Sequence, residues 1–264
     1  MSASASQASV LQALQKELLF LQGFRKLQVK YFYTGLPVIE KAFPQKTLPM
    51  GAIHDFSSFT MGDAAATDGF ISGLLSRLLA PLSFQKNVLE NEVQGVTNSS
   101  LSKITCVWVN GSFVFPPALR LFGILPENIV FVRAPKPKEA LWLIEEALKC
   151  SSLMAVVGQL KELSFTESRR LQLIVERSGV TGFIHRCFPQ KAHPVACVAN
   201  WQITAASSIS EGLPGVGRAV WNVELKKVRN GQPGRWIVEW RADHFRQIVT
   251  DPLMISEQYS KTAG

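Results

Sequence analysis

Four short apolar segments between residues 104 and 185, each separated from the next by a helical pattern, constrain this chain more than any other feature. Ile104–Val109, Asn128–Val132, Leu153–Val157 and Val180–His185 carry almost no polar side chains. A strand that is apolar on both faces must be covered on both. Such strands alternating with helices indicate a parallel sheet in a three-layer α/β domain. The helices between them are Pro116–Phe122, with Gly123 as its C-cap; Lys136–Cys150, with Ala140, Leu141, Ile144, Ala147 and Leu148 on one face; and Thr166–Ser178, capped by Thr166 and followed by Gly179. Upstream, Ala52–Phe59 reads as a further strand, Thr60–Thr67 as a loop, and Asp68–Leu79 as an apolar helix closed by Pro81.

The pattern changes after Pro194. Ala196–Ala205, Ala219–Val228 and Arg235–Trp240 alternate or are β-branched, with no helix between them. Asn230-Gly231-Gln232-Pro233-Gly234 is a turn signal that makes the last two a hairpin. The expected architecture is therefore a mostly parallel sheet flanked by helices, ending in an antiparallel hairpin. At the other end, Val10–Phe24 reads as a helix with Leu11, Leu14, Leu18 and Leu21 on one face. Lying ahead of the first strand, it serves either as an arm that docks on a partner or as a helix packed on its own domain. The division expected is 1–47 (helix and connector), 48–241 (core) and 242–264 (tail), with 85–103 a polar surface insertion.

The 264 residues are 47% hydrophobic, enough to bury a sizeable core. No uncharged apolar run reaches the roughly 18 residues of a membrane span, and Met1–Gln7 lacks the basic start of a secretory signal, so a cytoplasmic protein is expected. Four scattered cysteines, with no C-x-x-C, fit a reducing compartment and predict no metal site. His54, His185, His193 and His244 have no partner at metal or triad spacing, and no nucleophile elbow is present. No catalytic residue and no cofactor are therefore assigned.

Strand 52–59, the loop and helix 68–79 together form the context of a phosphate-binding P-loop. A working loop ends in Gly-Lys-Ser/Thr, the lysine reaching the outer phosphates and the hydroxyl holding magnesium. Here Gly62, Asp63, Thr67 and Gly69 occupy the region, and no lysine lies between Lys46 and Lys86. Asp63 adds the wrong sign of charge. Strand 153–157 ends in Gly158-Gln159 without the acid that would complete a magnesium site. Loss of both groups argues against hydrolysis.

The net charge is +8, which suits nucleic acid or an acidic partner and equally suits a soluble basic surface. Arg133 and Lys136 follow a strand on the sheet edge where ligands bind in α/β folds. Arg169 and Arg170 open a helix, where they either pair with Glu167 or Glu176 or contact an acidic or phosphate group. Lys226, Lys227, Arg229 and Arg235 interleave with Trp221, Trp236 and Trp240, a pattern that fits either a platform for single-stranded DNA or strand tryptophans filling a core.

Several blocks resemble the ImuA family, a RecA-like group. They are Leu48-Pro49-Met50-Gly51-Ala52-Ile53-His54-Asp55; Phe131–Lys136 with Ala140-Leu141-Trp142 and Glu145–Leu148; Ser168–Leu173 with Ser178-Gly179-Val180; and Trp221–Leu225 with Gly231–Trp236. Together they span about residues 46–241. Asp55 departs from the Glu that many relatives carry, and the insertion at 85–103 is long. The resemblance implies a RecA-like fold with a degenerate nucleotide loop and a non-enzymatic accessory role in DNA-damage-induced translesion mutagenesis. It also implies partners: an ImuB-like inactive Y-family polymerase, an error-prone replicative-type polymerase, and RecA or DNA. A SulA-like cell-division inhibitor and a divergent DNA-dependent NTPase are the alternatives.

Overall fold

The apolar segments pair into one sheet. The computed structural model describes residues 32–79, 105–190, 194–208, 217–241 and 243–248. Among these, the strands are β1 (Ile53–Ser58), β2 (Cys106–Val109), β3 (Ile129–Val132), β4 (Ala155–Leu160), β5 (Thr181–Cys187), β6 (Ala199–Ala205), β7 (Val220–Val228), β8 (Gly234–Arg241) and β9 (His244–Ile248). Their order across the sheet is β3-β2-β4-β5-β1-β6-β7-β8-β9. All pairs from β3 to β6 are parallel, and those from β6 to β9 are antiparallel. The expected α/β class, with a mostly parallel sheet and an antiparallel C-terminal extension, is what the chain forms.

The helices are α1 (Pro37–Glu40), α2 (Met61–Leu79), α3 (Pro137–Lys149) and α4 (Phe165–Ser178). α2 covers one face of the sheet, where Phe56, Phe70, Leu74, Phe183, Trp201 and Trp221 form the larger core. α3 and α4 cover the other, around Ile53, Ile144, Leu148, Val156, Leu171 and Ile184. Each such side chain, fully buried, contributes about 1.5–3 kcal/mol before entropy is counted.

Four expectations change. First, the loop expected at Thr60–Thr67 is the beginning of α2. Thr60 ends the strand-to-helix junction and accepts the Asp63 amide on its Oγ1 at 3.1 Å, while its carbonyl accepts the Ala64 amide at 3.0 Å. A threonine cap followed by Ala64-Ala65-Ala66 favours helix over loop. Second, Ser164 rather than Thr166 caps α4, in a reciprocal capping box with Glu167. Third, the sheet runs past residue 241 into β9. Phe245 there is buried and packs on Phe70, Trp221 and Trp240. Residues ahead of 48 also join the core, with Phe32, Leu36, Ile39 and Phe43 buried on the α2 side. The helix expected at Val10–Phe24, with Leu11, Leu14, Leu18 and Leu21, and the insertion at 85–103 lie outside the described residues.

Phe245 sits so close to α2 that a Cβ on Gly73 would come within 2.4 Å of its ring. Replacing this phenylalanine with alanine opens a cavity in the larger core. Phe245→Ala is expected to cost about 3–5 kcal/mol in chemical denaturation. A loss below about 1 kcal/mol would mean that β9 is not part of the folded unit.

Candidate functional site

Ligands of parallel α/β sheets bind at the carboxyl ends of the strands. In this chain that region holds two buried polar clusters, one on each face. On the α2 face, alternation brings Ser58 of β1, Gln159 of β4 and His185 of β5 to the same side, beneath Thr67 and Asp68 of α2. His185 Nδ1 is 2.7 Å from Asp68 Oδ1, and the Gln159 amide donates to Asp68 Oδ2. Ser58 Oγ lies 2.8 Å from His185 Nε2 and 2.8 Å from Thr67 Oγ1. The Ser112 amide, beyond the end of β2, donates to Gln159 Oε1 at 2.9 Å. Burial pushes the Asp68 carboxyl up, against the lowering effect of His185 and Gln159.

Ser58, His185 and Asp68 lie in the order of a nucleophile, its base and the base's orienting acid. Yet Ser58 and His185 are 0% exposed and Asp68 is 1% exposed. No substrate carbonyl reaches Ser58 Oγ in this conformation. What the cluster does is tie the second turn of α2 to the ends of three neighbouring strands. The residues expected at a degenerate phosphate loop are dispersed along the helix. Gly62 is exposed and Asp63 is half-buried in the first turn, Thr67 is sealed inside, and Gly69 faces Trp221, whose ring a Cβ would meet at 3.4 Å.

The opposite face carries a buried ion pair. Arg186 of β5 holds Asp55 of β1 in a bidentate contact, Nε to Oδ1 at 2.7 Å and Nη2 to Oδ2 at 2.6 Å. Nη2 also donates to Ser57 Oγ at 3.1 Å, and Asn200 of β6 donates to Asp55 Oδ2. Burial raises the Asp55 carboxyl, opposed by Arg186 and Asn200. Burial also lowers Arg186, but hydrogen bonds and charge from Asp55 more than offset it. His54, between Phe183 and Trp201, is 2.8 Å through Nε2 from the Pro49 carbonyl, and burial drives its pKa down to about 4.

Sequence spacing gave none of these partners, although a signal was present. His54-Asp55 and His185-Arg186 are polar pairs inside otherwise apolar strands, and buried charge requires a partner. His185, expected to have no partner at triad spacing, has two: Ser58 and Asp68 are remote in sequence and adjacent in space.

The basic candidates do not converge on one patch. Arg133 is exposed beyond β3, and Lys136 pairs with Glu139 at 3.1 Å. Arg169 is exposed on α4, while Arg170 bridges to Glu145 of α3 rather than to Glu167 or Glu176. Those two acids are engaged by Ser164 and Gln172. Lys226 and Lys227 are exposed on β7, with Lys226 Nζ 6.0 Å from the Phe59 ring centre; Arg229 follows β7, and Arg235 pairs with Glu224 at 2.8 Å. The tryptophans expected to interleave as a stacking platform point inward. Trp221 and Trp240 are buried, and Trp236 packs against the same core. Among the described residues, no group of His, Cys, Asp or Glu is arranged to hold a metal, and no helix is long and apolar enough to cross a membrane.

Among curated proteins, the chain is similar to Protein ImuA of Caulobacter vibrioides, in strains NA1000 / CB15N and ATCC 19089 / CIP 103742 / CB 15. Each is 29% identical over 219 residues, covering 78% of this chain and 81% of the relative. No protein-family model matches.

His54 makes acid stability testable. Its pKa is about 4 when folded against an ordinary value of 6.5, so the unfolded chain binds the extra proton between those limits. Stability is unaffected by this group above pH 6.5 and falls as pH drops towards 4. The loss is at most about 3 kcal/mol at ~1.36 kcal/mol per pKa unit. Asp55 and Asp68, raised by burial, contribute with the opposite sign, but equally in wild type and in a His54 variant. His54→Gln is expected to flatten the decline relative to wild type in urea denaturation from pH 7 to 4. Parallel curves would show that His54 is charged in the fold.

Proposed function

We infer that this chain belongs to the ImuA family and is a non-enzymatic accessory factor in DNA-damage-induced mutagenesis that acts in the cytoplasm. One observation supports the non-enzymatic part most directly. The strand ends that would face a nucleotide in a RecA-like ATPase are occupied by the sealed Ser58–His185–Asp68–Gln159 cluster, and no lysine lies between Lys46 and Lys86. An acid, Asp68, lies there in place of the cation that a triphosphate needs, and its two oxygens are taken by His185 and Gln159.

In this reading the chain joins an ImuB-like inactive Y-family polymerase to an error-prone replicative-type polymerase, with RecA or DNA as further contacts. Its work is assembly, and its activity lies in which surfaces it presents.

Affinity capture on the tagged full chain from cells exposed to a DNA-damaging agent tests this. The ImuB-like polymerase is expected to be retained, and deletion of the chain is expected to return damage-induced mutation frequency to the uninduced level. Retention of an FtsZ-like cytoskeletal GTPase without any polymerase, together with unchanged mutation frequency, would replace the reading with division inhibition.

A further inference from the structure

The antiparallel extension has an unequal pair of faces. α2 packs on β6 and β9 from one side. On the other side α3 lies over β2 and β4, and α4 lies over β1 and α3. Among the described residues no helix covers the face of β6–β9 opposite α2, where Asn222, Arg235, Arg241, His244 and Arg246 are exposed while Val220 and Glu239 are buried. Register decides what that face carries. Trp236, Val238 and Trp240 of β8 point into the α2 core, so Arg235, Ile237, Glu239 and Arg241 point out. Across the ladders, Glu224 stands opposite Arg235, and Glu239 stands between Val220 and Arg246. Lys227 stands opposite Asn200, whose side chain bonds Asp55 on this same side, and is itself exposed.

The face thus presents Arg218, Lys227, Arg235, Arg241 and Arg246 against the carboxylates Glu224 and Glu239, with Asp243 exposed in the β8–β9 turn. Both acids are already engaged: Glu239 is 3% exposed and accepts from Arg218 at 3.0 Å, and Glu224 accepts from Arg235 at 2.8 Å. The balance is cationic and includes exposed Lys227 and Arg246.

We propose that the open face of β6–β9 binds the sugar–phosphate backbone of nucleic acid. Apolar groups on it are few: Val220, opposite Glu239, is buried, Ile237 and Ile248 are half-buried, and the three tryptophans of β7 and β8 face the core. A protein partner needs a desolvated aromatic or apolar anchor, and among the described residues β6–β9 expose no aromatic on this face; exposed Phe59, beside Lys226, lies past the end of β1. Arginine and lysine with amide donors such as Asn222 and Gln202 suit phosphate oxygens. β8 alone is eight residues long, roughly 26 Å at ~3.3 Å each, which spans several phosphates. Because stacking rings are turned inward, contact is to backbone, so binding is indifferent to base sequence and steeply salt-dependent. The choice of nucleic acid among polyanions rests on reading the chain as a DNA-damage factor.

The test is fluorescence anisotropy of the full chain with labelled single-stranded and duplex oligonucleotides of mixed and homopolymeric sequence, over a series of salt concentrations. Lys227→Gln with Arg246→Gln is expected to weaken single-strand binding at least tenfold at low salt. The slope of log affinity against log salt should fall by about 1.4, at ~0.7 per phosphate contact. Arg169→Gln on α4 should bind as wild type does. Thermal melting confirms the fold, and Arg246→Lys, which keeps the charge, should retain wild-type binding. Wild type that binds no oligonucleotide, a double variant that binds as wild type, or an equal loss in Arg169→Gln overturns the proposal. So does binding of poly-glutamate in preference to DNA. Capture of the polymerase partner by the double variant is measured in parallel. Its persistence while DNA binding fails would remove this surface alone and leave the accessory reading standing.

Discussion

The Asp68 carboxylate, held between the His185 imidazole and the Gln159 amide, is the contact on which the arrangement of the parallel sheet depends. It sits in the second turn of α2 and reaches the ends of two strands remote from it in sequence. Ser58 completes the connection through His185 and Thr67. A buried carboxylate without partners costs several kcal/mol, so the helix and the ends of β1, β4 and β5 are mutually fixed. The Asp55–Arg186 pair does the same work on the other face, where Asn200 brings in β6. Between them the two clusters anchor the centre of the sheet at the end where α/β folds usually leave a crevice.

Much of what surrounds that centre follows from β6. It runs parallel to β1 along one edge and antiparallel to β7 along the other. The parallel half needs helices on both faces, and α2, α3 and α4 supply them. The antiparallel half needs only one covered face. α2, with Phe43 against Trp201 and Phe122 against Trp240, gives it that cover, and among the described residues the other face is largely polar. The proposed division of labour follows: a sealed interior at the strand ends and an open cationic surface on the extension.

Period and propensity made the fold largely legible. Buried strands such as Ala155–Leu160 and the apolar stripe of α3 are visible in residue order alone. The start of α2 was misread because a glycine-containing segment after a strand suggests a loop, while the decisive groups were Thr60 as a cap and three alanines in a row. β9 was missed because Phe245 has only five strand residues around it and gains its energy from α2 and Trp221 across the sheet. The polar clusters were invisible for a different reason. Asp68 and His185 are 117 positions apart, and Asp55 and Arg186 are 131 apart. Spacing rules find groups on one element, whereas these meet through parallel register. Likewise, tryptophans among arginines read equally well as a stacking surface or a core until the pairing of β7 with β8 fixed which side each faces.

The central claim is that protein groups have taken the place of a bound nucleotide. Thermal denaturation of the full chain with and without about 1 mM ATP and magnesium, in the presence and absence of single-stranded DNA, measures it. A site with a Kd near 10 μM would raise stability by about 2.7 kcal/mol under those conditions. The account predicts no magnesium-dependent shift in Tm. A shift of that size, lost when magnesium is chelated, would show that the strand ends still open to hold a triphosphate and would contradict it.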